Sequence, residues 1–251
     1  MKNYYDKYIA ELLTGDVRSP RNLPIHSKQN ATFRIPIGYT YRRMKDNPLI
    51  GFMEGMQFIA GVFKHDQIAR VAPNAKLELF TNQSAYGPRV GRQMHKIVKE
   101  LLANKHSRRA VMILGRPEEA LADRPCTTSL QFRITGKYMN TIATMRSSDA
   151  VGGLPYDLIQ FGLMSQVIAS CIDKRAGNLT INIADAYIYE SIQHLAKNFE
   201  VWKFSMPFTD ISLYHPAMVD TYQAYAKSVI RYLSSAWLKD SFHFEKADKQ
   251  W

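Results

Sequence analysis

The 251-residue sequence predicts one α+β domain spanning residues 1–251, a mixed sheet covered on one face by helices. Three observations lead there. Strand-like segments crowd the centre, between about residues 107 and 146. Long stretches of helical periodicity lie on either side of them. No internal repeat or low-complexity tract divides the chain, and 46% hydrophobic content suits one sizeable core. The second face of such a sheet needs its own cover, and a second copy of the chain is one solution.

The elements follow in order. Residues 2–14 read as an amphipathic helix, and MKNYYDKYIAELL lacks the core of a signal peptide. The polar stretch GDVRSPRNLPIHSKQ is rich in turn signals. Residues 31–41 alternate as a strand does. Leu49, Phe52, Met53, Met56, Ile59 and Phe63 keep a helical period, which Glu54 interrupts. Another helix is expected over 88–104. Strands are expected at 107–114, 127–135 and 138–146, the last two joined by a turn at Gly136 and Lys137. Ile159, Leu163, Val167 and Cys171 recur every four residues and predict an apolar helix over 155–173. A short strand at 178–183, a helix from near Tyr187 and a helix over about 216–238 complete the set.

Charge and cysteine usage narrow the function. Lys and Arg number 33 against 22 acidic residues, a net charge of +11. That balance suits a polyanion: nucleic acid, or a phosphorylated small molecule with an acidic cofactor. The basic residues are spread through the chain, without an arginine-rich arm, zinc-finger spacing or aromatic RNA-binding motif, which disfavours a dedicated nucleic-acid binder. No apolar run reaches the roughly 18 residues of a membrane span. Two cysteines are too few for a disulfide framework, so a reducing cytoplasm is the expected home.

Cys126 carries the first chemical signal. It stands between the irregular segment GRPEEALADRP and a strand, with Pro125 fixing the backbone before it. A cysteine at the start of a strand, among arginines, sits where cationic surroundings favour the reactive thiolate. Cys171, on an apolar helical face, reads as a small buried hydrophobe. Glu54, an acid inside an apolar stripe, needs a partner or a raised pKa.

The segments PCTTSLQF, MRSSDAVGGLPYD and SRRAVMI together resemble the thymidylate synthase superfamily. The spacing from Arg146 to Asp157 matches without gaps, and the resemblance runs from the first helix to about residue 195. It implies a homodimeric transferase that moves a one-carbon unit from 5,10-methylenetetrahydrofolate to C5 of a pyrimidine nucleotide. Cys126 then corresponds to the nucleophile that adds to C6. Arg146 and Ser147 correspond to phosphate ligands, and Arg108 and Arg109 to an arginine pair lent by the other subunit. Guanidinium forks suit a phosphate dianion. The N-terminal phosphate arginine corresponds to Arg21 in SPRN, with Arg18 as the alternative. Glu54 matches a glutamate that manages protons, and Tyr86 a tyrosine that helps remove the C5 proton. Gln131 supports the strand presenting Cys126, at a sugar- and base-binding position. Asp149 and Gly153 match folate-site positions, and Tyr189 a sugar ligand. Two departures stand out. Tyr187 replaces a histidine two residues before that tyrosine, and Thr127 replaces the histidine after the nucleophile.

The motif ends in Pro155-Tyr156-Asp157, where thymidylate synthases have Pro-Phe-Asn. Asparagine suits uracil, giving a hydrogen bond to O4 and taking one from N3–H. A carboxyl group suits cytosine, accepting from the N4 amino group and, when protonated, donating to N3. In this, Asp157 is similar to the aspartate of the phage deoxycytidylate hydroxymethylases, which share Met145-Arg146-Ser147 and Cys126-Thr127. That resemblance implies dCMP as substrate, water in place of hydride, and a phage that modifies its cytosine. No tryptophan lies between Glu54 and Tyr86, and the tail SFHFEKADKQW is mostly polar before Trp251, which fits a wetter site with Trp251 as a possible lid. The competing readings are reductive methylation of dCMP or dUMP, action on CMP, and a basic nucleic-acid binder on the same scaffold.

Overall fold

The structure, a computed structural model, describes residues 4–73, 85–205, 218–232 and 243–247, and these form two sheets packed with helices. The larger sheet runs in the order β1 (Asp16–Arg18), β2 (Ile25–Pro36), β8 (Arg175–Tyr189), β6 (Tyr138–Met145), β5 (Thr127–Thr135) and β4 (Val111–Ile113), with β7 (Ser148–Asp149) paired to β8. The smaller one joins β3 (Tyr39–Arg42), β9 (Glu200–Ser205) and β10 (His243–Lys246). Neighbours are antiparallel, except that β6 and β7 run parallel to β8. A parallel pair needs a crossover, and α6 (Leu154–Cys171) lies in the connection from β6 to β8.

Period-two patterning sets the sheet's register. Phe33, Ile181, Ala143, Leu130 and Met112 pair side by side across β2, β8, β6, β5 and β4, all buried. One residue along, Thr32, Asn182, Thr144, Ser129 and Ile113 form a row that is exposed or half-buried. The two rows belong to opposite faces, because successive side chains alternate. α1 (Tyr4–Leu13) closes the apolar side with an aromatic cluster, in which Tyr5 stacks on Tyr41 and meets Phe33 and Phe199 edge-on. The Tyr5 hydroxyl donates to the carbonyl of Ala150 at 2.6 Å, tying α1 to the turn before α6.

The core of the molecule is α6, which is buried on almost every side. α2 (Leu49–Ala60) lies against it with very little space between the backbones. A Cβ added at Gly51 would stand 3.1 Å from the Cα of Tyr156 and from Ile159. One added at Gly55 would stand 2.6 Å from Leu163 and 3.2 Å from the Cα of Gln160. α7 (Met218–Tyr232) packs on α2 and also touches α6. α3 (His65–Val71) follows α2. Among the described residues no helix is long and apolar enough to cross a membrane.

Several expected boundaries move. The strand expected at 31–41 is two strands turning at Gly38, whose φ is +93°. The polar stretch after α1 holds β1 and the start of β2 as well as turns. The helix expected over 88–104 breaks at Gly91 (φ 47°, ψ −128°) into α4 (Gly87–Val90) and α5 (Gln93–Ala103). The strand expected at 107–114 shrinks to β4. No α-helix starts at Tyr187: β8 continues to Tyr189 because Tyr187 and Tyr189 pair with Ser27 and Ile25 while Ala186 and Ile188 turn into the core. A 3₁₀ segment, Glu190–Leu195, follows instead. The last expected helix coincides with α7, and its residues beyond 232 lie outside the described ones.

The α2–α6 contact yields a stability test. Gly55→Leu overfills that contact, and overpacking of this kind costs about 1–3 kcal/mol. We expect the urea midpoint to fall accordingly with the slope unchanged, while Leu102→Ala, at an exposed site on α5, leaves it in place.

Candidate active site

A cleft of about 780 Å³ opens beside α2 and α6, and its walls include Cys126, Glu54, Tyr86, Asp157, Asp149, Gly153, Tyr187 and Tyr189. Eight of the sequence-predicted site residues, scattered over more than 130 positions, therefore meet in one place.

Cys126 is half-buried, just ahead of β5. The segment leading to it is pinned from two sides. Arg146 donates from Nε to the carbonyl of Pro125 at 3.1 Å and from Nη2 to that of Arg124 at 2.9 Å. Arg89, buried, forms an ion pair with Glu119 and donates to the carbonyl of Leu114 at 2.7 Å. Arg146 also reaches Ser147 Oγ at 3.2 Å, and Ser147 Oγ–H points to Cys126 Sγ at 3.6 Å.

The acids come from the two close-packed helices. Glu54 projects from α2 and Asp157 from the first turn of α6. Burial, then the neighbouring Asp157, pushes the Glu54 carboxyl up to about 8. Burial also pushes Asp157 up to about 7, with Asp149 adding to the rise. Donation from Gln160 Nε2 to Asp157 Oδ1 at 2.9 Å and from the Tyr86 hydroxyl opposes it. Tyr86 packs between the rings of Phe58 and Phe161, and its hydroxyl bonds Thr127 Oγ1 at 2.8 Å. Burial raises its pKa well above the usual phenol value. Gly87 lets the chain beside Tyr86 lie on the end of α2, where any Cβ would strike the carbonyls of Val62 and Gln57.

Asp149 shapes the opposite turn. Its Oδ1 accepts from the backbone of Val151 at 2.9 Å and its carbonyl from Gly153 at 3.1 Å. A Cβ at Gly152 would sit 2.8 Å from Asp149 Oδ2, so that glycine serves the turn. Burial raises the Asp149 carboxyl despite the backbone N–H groups of Val151 and Gly152. Tyr187 and Tyr189, two apart on β8, stand edge to face with centroids 5.1 Å apart and share a hydrogen bond that, after burial, raises the Tyr187 hydroxyl.

The remaining candidates lie elsewhere. Gln131 is outside the cleft; its side chain donates to the carbonyl of Arg108 at 3.0 Å and secures β5 to the preceding segment. Its neighbours Leu130 and Phe132 occupy the core, so strand alternation sends Gln131 to the other face. Arg108 and Arg109 are exposed and line no part of this chain's cleft, and Arg109 pairs with Glu100. Arg18 is held by Ser27 and Asp185, whereas Arg21 is exposed two residues from Leu23 of the cleft wall. Trp251 lies outside the described residues. Sequence reasoning missed Gln160, which shares the wall, and Ser148, whose buried hydroxyl has no hydrogen-bond partner among the described residues.

A pH dependence follows from the two raised acids. Each folded pKa lies above the ordinary value near 4, so each contributes stability that is full below about pH 4 and is lost as pH rises through 7 and 8. We expect the melting temperature of the ligand-free protein to fall between pH 6 and 9 by roughly 4 °C, equivalent to about 1–2 kcal/mol. Glu54→Gln and Asp157→Asn should each flatten that slope in calorimetry.

Comparison with known proteins agrees with this geometry. Residues 69–240 match the family described as Thymidylate synthase. The thymidylate synthase of Coxiella burnetii is 28% identical over 103 residues, covering 40% of this chain and 39% of the relative. That of Bacillus atrophaeus is 28% identical over 129 residues, 50% of this chain and 56% of the relative. That of Bacillus phage phi3T is 27% identical over 129 residues, 50% and 46%. The chain spans about half the length of the curated relatives it matches, and α2 with Glu54 precedes the matched family region. With that region covering more than half of its residues, and with the acids, tyrosines and cysteine gathered in one cleft, the chain belongs to the thymidylate synthase family.

Proposed function

We propose that this chain is a pyrimidine nucleotide C5 one-carbon transferase that converts dCMP to its 5-hydroxymethyl derivative. The donor is 5,10-methylenetetrahydrofolate, and water completes the reaction. The observation that carries the reading is Asp157, a buried carboxyl in the cleft that holds a proton close to neutral pH. A neutral acid accepts from cytosine N4 and donates to N3, and addition at C6 drives electrons toward that nitrogen.

The residues then take these roles. The Cys126 thiolate forms a bond to C6, with Ser147 donating to its sulfur, and C5 becomes a carbon nucleophile. The folate supplies a one-carbon unit at the oxidation level of formaldehyde. The apolar wall of Val62, Phe63, Ile68 and Ile192, with Asp149 and Gly153 beside it, suits a flat heterocycle bearing N–H donors. Glu54, protonated up to about pH 8, delivers and recovers protons there. Tyr86 assists loss of the C5 proton. Once the C–N bond to the carrier has broken and tetrahydrofolate has left, water adds to the exocyclic methylene on the base, and expulsion of the Cys126 sulfur restores the C5–C6 double bond. Arg146 and Arg21 hold the phosphate, Tyr189 and Tyr187 the sugar. The Arg108–Arg109 pair serves the phosphate of a second copy, in a homodimer joined through the polar sheet face that the described residues leave uncovered.

A second reading, reductive methylation to a 5-methyl product, is favoured by the name thymidylate synthase on the relatives. Mass analysis of the product from dCMP, CMP and dUMP with methylenetetrahydrofolate separates the two. We expect 5-hydroxymethyl-dCMP without stoichiometric dihydrofolate; a methylated product with one dihydrofolate per turnover would establish the reductive reading. Cys126→Ala should lose turnover yet keep the fold and nucleotide binding. Asp157→Asn should move the preference toward dUMP by about 10² or more, since a mismatched buried donor–acceptor pair discriminates by up to about 10⁴–10⁵.

A further inference from the structure

We infer that Gln160 is a positioning residue that fixes which oxygen of Asp157 carries the acid proton, and through it which base the cleft accepts. The inference rests on the cytosine reading above. Gln160 is buried, sits one helical turn beyond Asp157 on α6, and lines the same cleft. Its backbone is locked against α2, since Gly55 leaves no room for even a Cβ to approach comfortably. From that fixed point Nε2 donates to Asp157 Oδ1 at 2.9 Å.

A carboxyl oxygen that accepts an amide N–H is the carbonyl-like oxygen of the acid, so the proton resides on Oδ2. The acid then presents one acceptor and one donor in a set order. Cytosine needs that acceptor for N4–H and that donor for N3. Uracil needs the reverse order, with a donor for O4 and an acceptor for N3–H. To serve uracil the proton must move to Oδ1, the oxygen already facing an N–H, and the Gln160 bond weakens. Gln160 thus acts on base choice without touching the base. The charged and titratable groups facing Asp157 are Glu54 on α2, Asp149 before α6, and Tyr86 with Cys126 beyond it. Of these four, Tyr86 also donates to Asp157, through its hydroxyl, and Gln160 supplies the amide N–H that meets Oδ1.

The test uses Gln160→Met, which keeps the length and removes the donor. Infrared difference spectra against Asp157→Asn report the carboxylic-acid band of Asp157 as pH is varied, with no substrate present. Loss of an N–H donor to a carboxylate should raise the midpoint by about one pH unit or more. The ratio of kcat/KM for dCMP over dUMP should fall about tenfold, with the melting temperature serving as a folding control. Gln160→Glu, read at a pH where its carboxyl is protonated, gives a second variant that retains a donor and should restore the ratio. An unchanged midpoint overturns the assignment, and so does a shifted midpoint with an unchanged base ratio. A wild-type protein that prefers dUMP removes the cytosine reading itself, while the midpoint shift still reports on Gln160 alone.

Discussion

The arrangement of the site depends on how closely α2 approaches α6. Gly51 and Gly55 face Tyr156, Ile159, Gln160 and Leu163 with no side chain between, which brings Glu54 and Asp157 into the same poorly solvated space. Both acids are raised by burial first, with Asp157 adding to the rise of Glu54 and Asp149 to that of Asp157. Wider spacing would admit water and return both to ordinary carboxylates. The same helix lies in the crossover between the parallel strands β6 and β8. Sheet topology and proton chemistry therefore share one element, and neither can shift without the other.

The nucleophile depends on a second constraint. The segment before Cys126 has little regular structure, and arginines hold it: Arg146 on two of its carbonyls, Arg89 through Glu119. Guanidinium groups suit this work because their donors diverge in a fixed plane. Arg146 still has N–H donors to spare, so clamping and anion binding are compatible. Thr127 stands where a histidine was expected from the resemblance, and its hydroxyl holds Tyr86 instead.

The short motifs made the site legible. Cys126, Asp149, Gly153 and Asp157 cluster within about thirty residues, and all four line the cleft. Glu54 announced itself as an acid among apolar neighbours. Gln160 gave no such signal, since one more polar residue on a buried helix acquires meaning only through the bond to Asp157. Arg18 and Arg21 looked alike in sequence because the partner that occupies Arg18 is Asp185, far along the chain. Tyr187 was misread for a related reason: an aromatic pair fits either a helix start or a strand end, and only pairing with β2 decides. The smaller sheet escaped notice because its strands are short and β3 stands more than a hundred residues ahead of β9.

The long partnership of β2 and β8 has a consequence for the order in which the molecule assembles. Thr32 and Asn182 bond across 150 residues, and the whole ladder from Ile25 to Pro36 waits for its mate. Contacts of such separation carry a heavy loop-closure penalty and form late. During synthesis the hairpin of β5 and β6 can form while β2 still has an open edge. Cys126 then leaves the ribosome before the strand that supplies Tyr187 and Tyr189 exists, and the cleft is complete only once β8 has joined the sheet. The nucleophile candidate is thus synthesised before part of the cleft wall that comes to surround it.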